Sequence, residues 1–378
     1  MRVLVLVIDA FGGHGGVAQY GRDLLAALCE RPDCEEVVAI PRYMESSREA
    51  MPLKLTYLTA AVNSKVKYIL TCLRMMLFGG QFDLIICGHI NLLPLASVWG
   101  RLIRCPVVPI VYGIEAWTPN SKWLINYFCG KVRRFISIRE LTSRRFARWA
   151  RLEGVPWYYL PNCIDMARYS PGPKDSRLME KYGVRDKTVI MTTGRLDPAS
   201  HERYKGFDEL LEVLPALREV LPDVVYIIVG DGDDMTRLKE KADGLGVADI
   251  VIFTGRISAE EKVDHYRLAD VFAMPGSNKK FDRYPIRYVF LEALACGIPV
   301  VGSRPDGEGE ENSLEGRLIN QVDPCDPNDI IAGVLRALEQ RKGIAGAELS
   351  RYSYEEHKLR VMQIVNEIID ARYGRVTG

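Results

Sequence analysis

No two of the nine cysteines form a Cys-x-x-Cys pair: they stand at Cys29, Cys34, Cys72, Cys87, Cys105, Cys129, Cys163, Cys296 and Cys325. That spacing argues against a zinc ribbon and a disulfide framework. Most, such as Cys72, Cys87 and Cys296, lie among apolar residues and read as small buried hydrophobes in a reducing compartment. Net charge is nearly absent as well, at +1 over 378 residues, which argues against a global electrostatic affinity for nucleic acid. No uninterrupted apolar run approaches the ~20 residues that a membrane span needs. Internal repeats and low-complexity tracts are also missing. The apolar N-terminus, Met1 to Asp9, carries one basic residue and no small-residue cleavage site. It reads as a first β-strand rather than a secretory leader.

What is present is ordinary for a globular protein, with 48% hydrophobic and 26% charged residues. The length exceeds one ordinary core, so two domains are expected. Each half alternates short apolar runs with helical patterns, which predicts βαβ units and parallel sheets. In the first half Val3 to Ile8 reads as a strand buried on both faces, followed by a helix from about Val17 to Cys29. Phe82 to Cys87, Val107 to Tyr112 and Phe135 to Ile138 read as further strands. The second half runs through strands at Thr188 to Thr193, Val224 to Val229, Ile250 to Phe253, Val271 to Met274 and Pro299 to Gly302. Helices are expected at Phe207 to Glu219, Met235 to Leu245, Ala259 to Leu268 and Val289 to Ala295. The join falls in Asn162 to Lys174, beside Pro161, where Pro171, Gly172 and Pro173 cluster. Tyr354 to Tyr373 has the spacing of an amphipathic helix.

Gly12-Gly13-His14-Gly15-Gly16 separates the first strand from a helix. Glycines there let a ligand approach the backbone, and a helix N-terminus offers N–H donors to an anion. A plain flexible turn is the simpler reading. Gly13, Gly15 and Ala18 also fit a dinucleotide pattern, but the second strand ends in Pro41-Arg42 where a NAD site wants an acid. Arg195 follows Gly194, and Lys205 precedes Gly206. Two fixed cations in a strand-to-loop setting suit a diphosphate leaving group, and a solvated charged loop with His201, Glu202 and Arg203 is the alternative. Gly230-Asp231-Gly232 ends a buried strand at the edge where open α/β sheets bind ligands. Glu292, on a helix, is placed to accept from ribose or sugar hydroxyls, or else is a surface or capping residue. His89 ends another strand, where it can donate to a phosphate or sugar hydroxyl or serve a structural bond. Tyr112 and Glu115 hold the same position one strand later, and Glu115 reads as an acceptor-hydroxyl ligand. Lys65, Lys67 and Arg74 punctuate the apolar stretch Val66 to Phe78. Arg133, Arg134, Arg139, Arg144, Arg145, Arg148 and Arg151 crowd a later segment, with Phe146 and Trp149 between them. A basic apolar face reads as a docking patch for an anionic membrane surface, or as a solvated basic helix.

Taken together the chain resembles a GT-B glycosyltransferase of the retaining family 4 (group 1) type, over nearly its whole length. The resemblance rests on Gly15 and Gly16, on Pro161-Asn162-Cys163-Ile164-Asp165, and on the pair Arg195 and Lys205. It rests also on Val229-Gly230-Asp231-Gly232, Phe253-Thr254-Gly255-Arg256 and Leu291-Glu292-Ala293-Leu294-Ala295-Cys296-Gly297-Ile298-Pro299-Val300-Val301. It implies an α/β fold of two Rossmann-like domains facing each other across a cleft, 1–165 and 166–353, with residues 354–378 returning to the first. It implies a hexosyltransferase that moves sugar from a nucleoside-diphosphate sugar to an acceptor hydroxyl with retention, in polysaccharide or lipid-linked glycan assembly. Arg195, Lys205 and His89 would be catalytic. Gly15, Gly16, Gly194, Gly230, Asp231, Gly232, Arg256, Ile257, Arg287 and Glu292 would bind the donor. Tyr112, Glu115 and Trp117 would bind the acceptor. No cofactor or essential metal is expected, and the location expected is cytoplasmic, at the inner membrane face. Three departures stand out. The family's Glu-x7-Glu becomes Tyr284-x7-Glu292, the histidine before Gly-x-x becomes Tyr112, and Cys163 replaces a linker glycine. Asp282, Arg283 or Arg287 are candidates to replace the lost glutamate. A nucleotide-sugar 2-epimerase, an oxidoreductase and a non-catalytic sugar-nucleotide binder are the alternatives.

Overall fold

The computed structural model describes residues 1–45, 50–196, 205–276, 287–304, 317–340 and 346–373. The chain forms two compact units, Met1–Cys163 with Tyr354–Gly378, and Ile164–Ser353.

The first unit holds a seven-stranded sheet. Its strands are β1 (Arg2–Val7), β2 (Glu36–Pro41), β3 (Leu55–Tyr57), β4 (Leu84–Cys87), β5 (Val107–Val111), β6 (Phe135–Ser137) and β7 (Trp157–Tyr159). They lie in the order β3-β2-β1-β4-β5-β6-β7, and every neighbouring pair is parallel. Leu4 and Leu6 of β1 point to one face, where they pack with α2 (Lys65–Phe78), α3 (Leu93–Leu102), α4 (Trp123–Cys129) and α5 (Glu140–Ala150) around Trp99 and Phe146. Helix α1 (Gly16–Cys29) packs instead with the C-terminal helix Tyr354–Tyr373. Arg31, just past α1, donates to the Met362 carbonyl at 3.0 Å and to Asn366 Oδ1 at 2.9 Å. His357 of that helix sits between the rings of Tyr20 and Tyr354, 3% exposed.

The second unit begins with α6 (Ser176–Tyr182). Its sheet has β8 (Thr188–Thr193), β9 (Val224–Val229), β10 (Val251–Gly255), β11 (Val271–Met274), β12 (Val300–Ser303) and β13 (Asn320–Val322). The order is β10-β9-β8-β11-β12-β13, again parallel throughout. The helices are α7 (Phe207–Val220), α8 (Met235–Gly244), α9 (Lys262–Leu268), α10 (Tyr288–Ala295), α11 (Pro327–Glu339) and the short α12 (Gly346–Leu349). The C-terminal helix is α13. Strand β9 is buried at all six positions, which is why an unbroken apolar run encodes it. The unit closes where the Ile164 N–H donates to the Tyr352 carbonyl at 2.7 Å. The strand order reverses at β1/β4 and at β8/β11, and ligands of open α/β sheets bind outside the strand ends at such reversals.

One helix starts later than its sequence pattern predicts. Ser258 and Glu261 bond each other reciprocally, backbone N–H to side chain, at 3.0 and 3.2 Å. That pairing holds 258–261 as a turn, and α9 begins at Lys262.

Candidate active site

Three loop segments meet at the C-terminal edge of the second sheet. After β8 the Gly194 N–H donates to the Val229 carbonyl at 2.9 Å, and the Leu196 N–H to the Asp231 carbonyl at 2.9 Å. The Gly230 N–H donates to the Gly255 carbonyl at 3.1 Å, which ties in the end of β10. The contact is close enough to demand glycine. A Cβ on Gly230 would lie 1.9 Å from the Gly194 oxygen, and one on Gly232 would lie 2.1 Å from the Leu196 oxygen.

Lys205 lies along this junction. Its Nζ donates to the Arg195 carbonyl at 2.7 Å, its chain passes 3.0 Å from where a Gly194 Cβ would be, and the residue is buried. The Arg195 side chain is exposed. The backbone thus holds Arg195 and Lys205 together at the ends of β8 and β9. The loop residues His201, Glu202 and Arg203 lie outside the described residues, as do Asp282, Arg283 and Tyr284. Asp231 accepts from the Gly232 N–H at 2.9 Å. Arg256 is exposed and Ile257 half-buried against the core that includes Phe290 and Leu291. Arg287 caps α10 and places Nη1 3.0 Å from Met274 Sδ.

Glu292 faces inward. Oε1 accepts from Lys262 Nζ at 2.7 Å and from the Tyr169 hydroxyl at 3.1 Å, and Oε2 accepts from the Tyr266 hydroxyl at 2.6 Å. Burial, then the adjacent Glu292 charge, pushes both phenols well above their ordinary range. Lys262, Tyr169 and Tyr266 escaped sequence reasoning because 26 to 123 positions separate them from Glu292. No local spacing encodes such a cluster.

In the first unit the Gly-rich turn begins above β1. The Asp9 carboxylate occupies the place of a Gly13 Cβ, 1.8 Å from it, and burial pushes Asp9 upward against the opposing pull of the Ala10 amide. Gly15 has φ of 92°, which suits glycine, and Gly16 opens α1 with no side-chain cap and no acidic residue in the first turn. The first turn of α1 is where the sequence pattern expects amide donors to an anion. His89 accepts from the Asn91 N–H through Nδ1 at 3.0 Å. Burial holds the ring below its ordinary pKa, with Glu115 opposing. A neutral His89 therefore carries its proton on Nε2 and is a donor rather than a base.

The three residues read as acceptor ligands each have partners within the first unit. Glu115 Oε1 accepts from the Tyr112 N–H at 2.7 Å, and Oε2 from the Gly113 N–H at 3.0 Å. The Tyr112 ring stands edge-on to Tyr20 at 5.2 Å. Trp117 Nε1 donates to Thr142 Oγ1 at 3.1 Å, and Arg145 stacks 4.7 Å over its ring.

The basic aromatic face is not built as the sequence pattern implies. On α5, Phe146 is fully buried and Trp149 Nε1 donates to the Ala116 carbonyl at 2.7 Å, so these aromatics serve the core. A run of exposed apolar residues lies on α2, with Val66, Ile69, Leu70, Leu73, Leu77 and Phe78 on its surface, the last 81% exposed. Exposed Lys65, Lys67 and Arg74 flank them. No helix among the described residues is long and apolar enough to cross a membrane.

The comparisons fit this geometry. Residues 187–340 match the family described as glycosyl transferases group 1. A GDP-mannose-dependent alpha-(1-6)-phosphatidylinositol monomannoside mannosyltransferase of Mycolicibacterium smegmatis is 35% identical over 226 residues, 57% of this chain. The match spans only 57% of that relative's length. The phosphatidyl-myo-inositol mannosyltransferase of Mycobacterium leprae is 29% identical, with 97% of each chain covered. Among solved structures, Anabaena HepE in complex with UDP superposes with a TM-score of 0.75 at 18% identity, over 97% of this chain and 100% of that one. Residues 187–340 thus match the group 1 glycosyltransferases, and the fold of the chain is that of its GT-B structural neighbours.

Proposed function

We propose that the protein transfers a hexosyl group, with retention, from a nucleoside-diphosphate sugar to a hydroxyl of a lipid-linked glycan or glycolipid. The observation that carries this reading is the placement of Arg195 and Lys205 together at the glycine-tight ends of β8 and β9. Departure of the nucleotide leaves negative charge on its phosphates, and two fixed cations lower that barrier. Family resemblance supports attack on the face that the nucleotide leaves, with the leaving phosphate taking the acceptor proton. Neutral His89 then acts as a hydrogen-bond donor and not as a general base. The names of the relatives support an acceptor built on a phosphatidylinositol mannoside and make GDP-mannose the first donor to try.

Thermal unfolding with UDP, GDP, ADP, CMP and NAD tests the donor half, because a ligand of the folded state raises the midpoint. One nucleoside diphosphate should raise it clearly, and the matching sugar nucleotide should be consumed only when acceptor is present. A rise with NAD alone, or a free epimerised sugar as product, would overturn the reading.

The acceptor half carries a second expectation. The exposed apolar stripe of α2 with its flanking cations suits an anionic bilayer surface, where such a helix lies in the interface. Vesicles rich in phosphatidylinositol should retain the protein at low salt, and Leu77→Glu with Phe78→Glu should release it. Equal retention of the double variant, or no retention of the parent, would refute docking through α2.

A further inference from the structure

Arg42 stands just past the end of β2, with its main chain fixed on both sides. Its N–H donates to the Val7 and Ile8 carbonyls at 3.0 and 3.1 Å, and its carbonyl accepts from the Asn63 N–H at 3.0 Å. The Asn63 side-chain amide in turn bonds the Met44 N–H and the Met44 carbonyl. The segment 42–44 is thus pinned to the turn before α2, at the C-terminal edge where open α/β sheets bind ligands.

The side chain is held as well, by rings rather than by oxygens. Its guanidinium carbon lies 4.6 Å from the Tyr43 ring centroid and 6.0 Å from that of Tyr68. Tyr68 is 2% exposed and Tyr43 46% exposed, so Tyr68 is the floor and Tyr43 is the side that a ligand meets. Nη1 is buried, and among the described residues no oxygen accepts from it and no carboxylate pairs with the guanidinium. Arg2, Arg22 and Arg31 of the same unit all reach carboxylate or carbonyl oxygens. A half-buried guanidinium without an acceptor is destabilising, and stacking through its faces leaves its in-plane N–H fork unused. That fork matches two oxygens of a phosphate.

The neighbourhood narrows the anion. Exposed Lys65 lies one turn before Tyr68, and the first turn of α2 holds no acidic residue. From Val66 onward the same helix exposes Ile69, Leu70 and Leu73. An anionic head joined to an apolar tail uses both features, whereas a free inorganic anion uses only the first.

Deepening the glycolipid-acceptor reading, on which this rests, we propose that Arg42 binds the phosphate of a phospholipid-linked acceptor, whose apolar part lies on α2.

Calorimetric titration of the full chain tests this with three probes: dihexanoyl phosphatidylinositol below its micelle concentration, dihexanoylglycerol and inorganic phosphate. The parent should bind the phospholipid more tightly than either of the others. Arg42→Gln should weaken the phospholipid by about tenfold to a hundredfold, the scale of hydrogen bonds to a charged group, and leave dihexanoylglycerol unchanged. Arg42→Lys, which keeps the charge without the fork, should recover only part of the loss. Arg42→Met, which keeps the stem packed between the rings, gives the same comparison should the glutamine variant fold poorly. Equal binding of the phospholipid by parent and variant, or inorganic phosphate bound as tightly as the phospholipid, would overturn the assignment. A parent that binds a nucleoside diphosphate but not the phospholipid would overturn this inference alone. A parent that binds neither would overturn the nucleotide-sugar reading with it.

Discussion

Arg195→Ala should lower kcat by about a hundredfold to a thousandfold, the usual cost of removing one preorganised donor from a developing oxyanion. The fold should survive, because the Arg195 side chain is exposed and its carbonyl, not its guanidinium, receives Lys205. Lys205→Ala should cost turnover on the same scale. It should also lower the unfolding midpoint, since it empties a buried position and removes the bond to the Arg195 oxygen. The two variants thus separate chemistry from stability at one junction. Steady-state transfer with the donor identified by binding, alongside thermal unfolding, reads both. Near-parental turnover in two folded variants would remove Arg195 and Lys205 from the mechanism.

Much of the fold is legible because its central strands are buried on both faces. Val3 to Val7 and Val224 to Val229 are unbroken apolar runs for that reason. The edge strands are another matter. β3, β7 and β13 have three residues each, and Trp157 and Tyr159 are exposed. Strands of three residues are too short for a period or run that sets them apart from a loop. The basic segment misled in a different way. Period and composition give Phe146 and Trp149 no direction, and tertiary packing turned them inward.

The candidate site divides along the same line. The glycines are readable because each has a local cause: a chain passes within contact distance of Gly230 and Gly232, and no side chain fits. Arg195 and Lys205 are readable through their order and neighbours. The surroundings of Glu292 are not, because Tyr169, Lys262 and Tyr266 converge on it only after folding. Glu115 adds a detail that its position at a strand end does not carry: its oxygens accept from the backbone two and three residues away.

The second large effect is expected in the returning helix, and it concerns acid stability. Burial drives the His357 pKa down to about 4, with the Pro161 carbonyl as a weaker opposing influence. In the unfolded chain the same imidazole titrates near 6.5. Above that pH both states are neutral and the residue contributes no pH dependence. As pH falls from about 6.5 toward 4, the unfolded chain binds a proton that the folded chain refuses, so folding stability declines. Below about 4 both states are charged and the loss stops growing. The whole window is worth about 3 kcal/mol. Asp208, which Arg237 and Lys241 hold down to about 2 against its burial, loses its contribution as pH falls from about 4 toward 2, so the two effects separate. His357→Phe keeps an aromatic ring between Tyr20 and Tyr354 and removes the titration. Urea unfolding of parent and variant at pH 7, 6, 5 and 4 isolates the difference. The parent should lose about 3 kcal/mol more than the variant across that range, with the steepest loss between pH 6 and 4. Parallel curves would mean that His357 takes up its proton within the fold. Protonation would then be met by a local rearrangement around Pro161 rather than by loss of the native state.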